Sequence, residues 1–123
     1  MTGDEAAQAV RTELLDERRA VLARLARLRT DHAGIVAASA GSNADDEHDP
    51  EGATIAFERQ QVDALVRQAE HRLVEIDAAV ARLADASYGT CESCGRPIPP
   101  ERLAVRPTAR RCMPCARRAA GTR

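Results

Sequence analysis

The chain has 123 residues, of which 44% are hydrophobic, 30% charged and only 2% aromatic, and its formal net charge is −1. Its apolar residues are mainly Ala, Leu and Val, a composition that suits thin aliphatic seams between helices and excludes a thick aromatic-filled core. No stretch is long and apolar enough to span a bilayer, and the acidic start MTGDEAAQAV lacks the apolar segment of a secretory signal. The charge is also divided along the chain. Residues 1–87 carry ten Arg against seventeen Asp or Glu, and residues 88–123 carry eight Arg against two Glu, so the two parts are −7 and +6. Such polarity implies two surfaces for different partners. The expected setting is cytoplasmic and reducing, where four cysteines serve as metal ligands rather than as disulfides.

In chain order, the first predicted element is a helix whose apolar seam runs through Leu14, Val21, Leu25, Leu28 and Ile35. Arg18 and His32 take the two remaining seam slots, and Leu15, Leu22 and Val36 are expected to widen the stripe. Next comes AGSNADDEHDPEGA, dense in turn formers and carboxylates. Gly41 fits the position just past a helix end, and Asp49-Pro50 fits an N-cap followed by proline at the first helical position. The second predicted helix places Val62, Val66, Ala69, Leu73, Ile76, Val80 and Leu83 at alternating spacings of four and three, the pattern of a helix burying one narrow seam against a partner. Two helices of roughly thirty residues, each about 45 Å long, are implied. The short connection folds them into an antiparallel hairpin. Ser87, Tyr88 and Gly89 end the second helix.

All four cysteines follow, within YGTCESCGRPIPPERLAVRPTARRCMPC, as two Cys-x-x-Cys pairs separated by seventeen residues. Each such turn bends two sulfurs toward one ion, and the intervening excursion returns the second pair to complete a tetrahedral zinc site. Gly95 follows the first pair, where the chain needs a permissive backbone. Arg96, Arg110 and Arg111 are placed to offset a four-thiolate site that is formally −2 with zinc bound. Cys91, Cys94, Cys112 and Cys115 are therefore the expected ligands of one structural Zn2+. A catalytic zinc would keep a coordination position open for water, and four cysteines leave none. A dithiol redox centre would sit in a strand–helix alternation that this sequence lacks.

The residues Tyr88-Gly89-x-Cys91-x-x-Cys94-Gly95, Ile98, Arg102-Leu103, Arg106-Pro107-Thr108-Ala109 and Cys112-x-x-Cys115 together resemble the signature of the TraR/DksA zinc-finger family. The resemblance implies a mainly α fold: a long antiparallel coiled-coil hairpin over residues 1–87, with a tip loop at about 41–53, and a zinc finger with a short basic tail over 88–123. It further implies a non-enzymatic bacterial transcription regulator that binds RNA polymerase and inserts its coiled coil into the secondary channel. The acidic tip candidates are Asp45, Asp46, Glu47, Asp49 and Glu51. Polymerase or nucleic-acid contacts are expected from Arg102, Arg106, Arg110, Arg111, Arg117 and Arg118.

Three departures qualify what carries over. The family's Asp-x-x-Asp-x-Ala tip is not restored in either register: one gives His48, Glu51 and Ala53, the other Asp49, Gly52 and Thr54. Only eight residues follow Cys115, too few for the C-terminal helix that longer members use, and no room is left for their N-terminal helical segment. The positions matched to basic contacts for the alarmone guanosine tetraphosphate are Glu75 and Ala116, with only Arg106 basic, so the response to that nucleotide is expected to be weak or absent. A monomer with weak nucleic-acid contact and no membrane partner completes the expectation. The alternative readings are a nucleic-acid-binding zinc finger that uses its basic C-terminal face, and a thiol redox sensor.

Overall fold

The computed structural model describes residues 3–40 and 50–121, with side chains described for 3–37 and 52–121. Two long helices, α1 (Gly3–Ala40) and α2 (Pro50–Ala84), precede two short ones, α3 (Pro100–Val105) and α4 (Met113–Gly121). The fold is mainly α, an antiparallel helical hairpin followed by a four-cysteine finger. Both long helices exceed the expected length. α1 takes in the acidic N-terminal segment, whose Asp4 and Glu5 lie in the first turn, where carboxylates favour the positive end of the helix dipole. α2 begins at Pro50, the position expected for proline at a helix start.

Contacts divide the chain into two compact units, one of Met1–Arg18 with Val74–Arg123 and one of Arg19–Leu73. In the second unit, Leu25, Leu28 and Ala69 are buried. His32 Nε2 lies 2.8 Å from Asp63 Oδ1, and Arg29 Nη2 lies 3.6 Å from Glu70 Oε1. Rising numbers on α1 meet falling numbers on α2, which defines an antiparallel pair. In the first unit, Leu14, Ile76 and Ala79 are fully buried, and Arg18 Nε donates to Asp77 Oδ1 at 2.8 Å.

The seam is as narrow as its heptad spacing implies. Arg18 and His32, the two polar residues in seam slots, each meet a carboxylate of the opposite helix, Asp77 and Asp63. These pairs are half exposed and add little stability, but a polar residue in a seam disfavours other registers. The expected widening by Leu22 and Val36 does not occur, since each is 39% exposed. Two helices bury only the stripe along their line of contact, and a third layer would be needed to cover its flanks. Ala79, absent from the predicted seam, is buried because its small side chain lets the helices approach closely.

α2 ends at Ala84, earlier than the expected stop at Ser87–Gly89. Ala86 turns into the left-handed region, with φ +65°. Ser87 N then donates back to the Arg82 carbonyl at 3.0 Å, the six-to-one bond of a Schellman terminus. The Asp85 carboxylate accepts hydrogen bonds from the Ser87 hydroxyl and amide, which hold it below the usual carboxylate range.

Two stability predictions follow from this packing. Ile76→Asp should cost several kcal/mol in chemical denaturation, because it puts an unpaired charge into a closed seam. Val74→Asp, at a position 60% exposed, should stay within about half a kcal/mol, and equal effects would contradict the register. Ala86→Gly should stabilise the protein by roughly 0.5–1 kcal/mol, since glycine occupies the left-handed region without a Cβ penalty.

Candidate metal centre

The finger begins where α2 ends. Its first knuckle is pinned by an isolated antiparallel bridge between Thr90 and Pro97 and by Ile98 N donating to the Gly89 carbonyl at 2.7 Å. Within it, Cys91 N donates to the Arg96 carbonyl at 2.8 Å, and Gly95 N donates to the Cys91 carbonyl at 2.9 Å. Closing this turn requires φ +73° at Gly95, as its place after the first cysteine pair implied. Gly89, at φ +84°, is also left-handed, and a Cβ there would rest 3.6 Å from Leu103. The second pair opens α4, where Ala116 N donates to the Cys112 carbonyl at 2.9 Å. The residues that follow Cys115 continue α4. They are helical as far as Gly121 because α4 starts inside the cysteine pair at Met113-Pro114 and is anchored by buried Cys115.

The structure brings Cys91, Cys94, Cys112 and Cys115 together, with all four sulfurs within 4.8 Å of one another. Cys94 Sγ and Cys112 Sγ are 3.8 Å apart. A tetrahedron with zinc–sulfur bonds of about 2.3 Å has edges of about 3.8 Å, so the cluster fits zinc in size as well as in donor type. Cys91, Cys112 and Cys115 are buried with Ile98, against Leu103, while Cys94 is exposed. Burial raises the Cys91 thiol, but the backbone N–H groups of Cys112, Cys94 and Ser93 outweigh it and hold the thiol down to about 6. Hydrogen bonding with the Cys112 thiol, then burial, pushes Cys115 up to about 12. Metal binding therefore displaces protons from the thiols.

A profile for the prokaryotic dksA/traR C4-type zinc finger matches residues 86–119. The structure is similar to that of transcription factor DksA2 from Pseudomonas aeruginosa, with a TM-score of 0.79 and 26% identity over 97% of this chain and 86% of that one. Residues 86–119 are a zinc finger of the TraR/DksA type. The chain carries one structural Zn2+, as the four-cysteine cluster and the C4-type finger together require. Among sequence relatives, general stress protein 16O of Bacillus subtilis is 36% identical over 70 residues, which cover 56% of this chain and 42% of that protein. A protein of Aquifex aeolicus is 46% identical over 44 residues, covering 36% of this chain and 30% of its own length. The chain thus spans less than half the length of these curated relatives.

The arginines of this TraR/DksA finger have distinct placements. Arg111 pairs with Glu92 at 3.0 Å and donates to Ser93 Oγ at 3.1 Å, tying the second cysteine pair to the first knuckle. Arg102 Nε donates to the Arg111 carbonyl at 2.8 Å. Arg96 supplies its backbone carbonyl to the knuckle. Arg118 also lies beside the cluster, with Nη2 3.7 Å from Cys115 Sγ. Arg106 and Arg117 are exposed, and Arg110 is half-buried.

The residues that join the finger to α2 pair Tyr88, Pro107 and Thr108 of the signature with Arg82 and Glu75, which lie outside it. Tyr88 Oη donates to the Pro107 carbonyl at 2.7 Å, and Arg82 Nη2 donates to the Thr108 carbonyl at 3.4 Å. Buried Thr108 in turn donates from Oγ1 to Glu75 Oε2 at 3.4 Å. Burial, followed by the charge of Arg110, holds the Arg82 guanidinium below its ordinary value. Among the described residues no helix is long and apolar enough to cross a membrane.

Elemental analysis should find one zinc per chain. Chelation, or Cys112→Ser, should raise amide exchange through residues 88–115 and leave residues 19–73 protected, because the seam of that unit makes no use of the thiols. Zinc affinity should fall as pH is lowered below about 8, the ordinary thiol range, because protons compete with the metal for the sulfurs. A competition titration with a chromophoric chelator across that range measures this slope.

Proposed function

We propose that this protein is a non-enzymatic transcription regulator of bacterial cytoplasm that binds RNA polymerase. In this reading its coiled coil enters the polymerase's secondary channel, and the zinc finger supports the helix ends. The observation that carries the proposal is the likeness, over 97% of the chain, to a protein described as a transcription factor. The C4-type finger supports it from an independent direction. The division of labour follows the charge: residues 1–87 at −7 form the acting hairpin, and residues 88–123 at +6 form the finger.

The proposed effector residues are Asp45, Asp46, Glu47, Asp49 and Glu51. The first four lie outside the described residues, as does the side chain of Glu51. A carboxylate cluster acts near a magnesium-dependent polymerase centre by competing for cations or for basic side chains. Glu75 and Ala116 at the positions matched to alarmone contacts favour a regulator that works with little or no help from guanosine tetraphosphate. A monomer, with weak nucleic-acid contact through the finger, completes the proposal. The exposure of Arg96, Arg106 and Arg117 favours one second reading, a zinc finger whose main ligand is nucleic acid.

Run-off transcription with purified polymerase and saturating protein tests the first reading. Asp49→Ala combined with Glu51→Ala should retain polymerase binding and abolish the change in transcript yield. A double variant that acts like the parent protein would reduce the acidic segment to a solubilising turn.

A further inference from the structure

The seam of the hairpin changes character along its length. Within the unit Arg19–Leu73, the buried side chains are Leu25 and Leu28 on α1 and Ala69 on α2. Beyond Leu28 on α1, and before Ala69 on α2, no described side chain is buried. The seam residues Ile35, Val62 and Val66 are only half-buried there, and Val36 and Phe57 are exposed. An open cleft of about 530 Å³ lies at this level, lined from both helices by Gly34 and Ile35 of α1 and by Ile55 and Val62 of α2.

What joins the helices in this stretch is polar. His32 Nε2 lies 2.8 Å from Asp63 Oδ1, and both side chains are mostly covered. The neighbouring pair, Arg29 with Glu70, is longer at 3.6 Å and more than half exposed. A helix in a protein owes most of its stability to the face it packs, and here that face is thinly covered. On α1 the local sequence does not compensate. Gly34 is the weakest helix former short of proline, and β-branched Ile35 and Val36 follow it. A Cβ at Gly34 would meet nothing within 4 Å, so no close packing calls for a glycine there. The matching stretch of α2 is different, since Ala56, Glu58, Arg59, Gln60, Gln61 and Ala64 are all good helix formers.

We infer that the outer turns of α1, residues 31–37, detach from α2 and close again as one unit, and that the His32–Asp63 bond is the clasp that holds them shut. α2 stays helical throughout. Opening here loses little apolar contact because little is buried, whereas separating the inner part would expose Leu25, Leu28 and Ala69. Such a segment opens without global unfolding. The hairpin thus combines a fixed inner part with an outer end whose width adjusts.

Hydrogen–deuterium exchange of the zinc-loaded full chain, read by NMR at single amides, tests this. Amides of residues 31–37 should share one protection level, lower than that of 21–28 and of 58–66. Asp63→Ala removes the clasp while improving the helix propensity of α2. It should speed exchange of 31–37 about twofold to fivefold, the scale of a part-exposed ion pair, and leave 21–28 unchanged. Gly34→Ala should slow the same amides about fivefold, in the parent and in Asp63→Ala alike. His32→Leu, with an apolar residue in the seam slot, should also slow them. Equal protection of 31–37 and 21–28 in the parent would overturn the opening. A smooth gradient rising inward from Ala37 would mark plain end fraying and overturn it too. If Asp63→Ala leaves 31–37 unchanged, or speeds exchange evenly along the whole hairpin, the bond is no clasp and the inference falls.

Discussion

The finger has almost no core apart from its cysteines. Three of the four residues in its buried cluster are Cys91, Cys112 and Cys115, and the fourth is Ile98, with Leu103 packed alongside. A segment this short cannot bury enough apolar surface to offset the entropy of ordering its chain, and the thiols therefore do the work that aliphatic side chains do elsewhere. Four sulfurs within 4.8 Å of one another would repel as bare thiolates, and they cohere by sharing a divalent cation. Everything in residues 88–121 depends on that closure: the Gly95 turn, the Thr90–Pro97 bridge, and the start of α4 inside the second cysteine pair.

The hairpin rests on a different principle, and it is thinly built. Leu14, Leu25, Leu28, Ala69, Ile76 and Ala79 are buried, while Phe57 and Val74 are each 60% exposed. Two helices side by side hide one stripe and leave the rest of each cylinder in water. Stability is therefore spread along the seam, and polar interruptions are tolerated only where the opposite helix answers them. Asp77 answers Arg18, and Asp63 answers His32.

The finger and the end of α2 are joined by ordinary hydrogen bonds. Thr108 sits between Arg82 and Glu75, and Tyr88 reaches the Pro107 carbonyl. The metal fixes residues 91–115, and these contacts pass that order to the last turns of α2 within the same compact unit. This is the physical basis for expecting metal loss to be felt at the helix end and to leave residues 19–73 untouched.

The sequence by itself determined whatever depends on local spacing. The heptad repeat fixed Ile76 and Ala69 as buried on α2, and Leu14, Leu25 and Leu28 as buried on α1. The paired Cys-x-x-Cys turns fixed the metal and its donor set, since that spacing carries its own geometry. Tertiary structure decided what depends on the partner surface. Whether Leu22 and Val36 are covered is set by how many helices pack there, which no periodicity reveals. Ala79 is buried because a neighbour comes close, not because alanine is strongly apolar. The arginines show the limit most clearly. As a charge count Arg102, Arg106, Arg111 and Arg118 are equivalent, yet Arg102 and Arg111 brace the finger, Arg118 lies beside Cys115, and Arg106 faces solvent. A long flexible cation takes whatever acceptor the fold brings within reach, and that acceptor is encoded elsewhere in the chain.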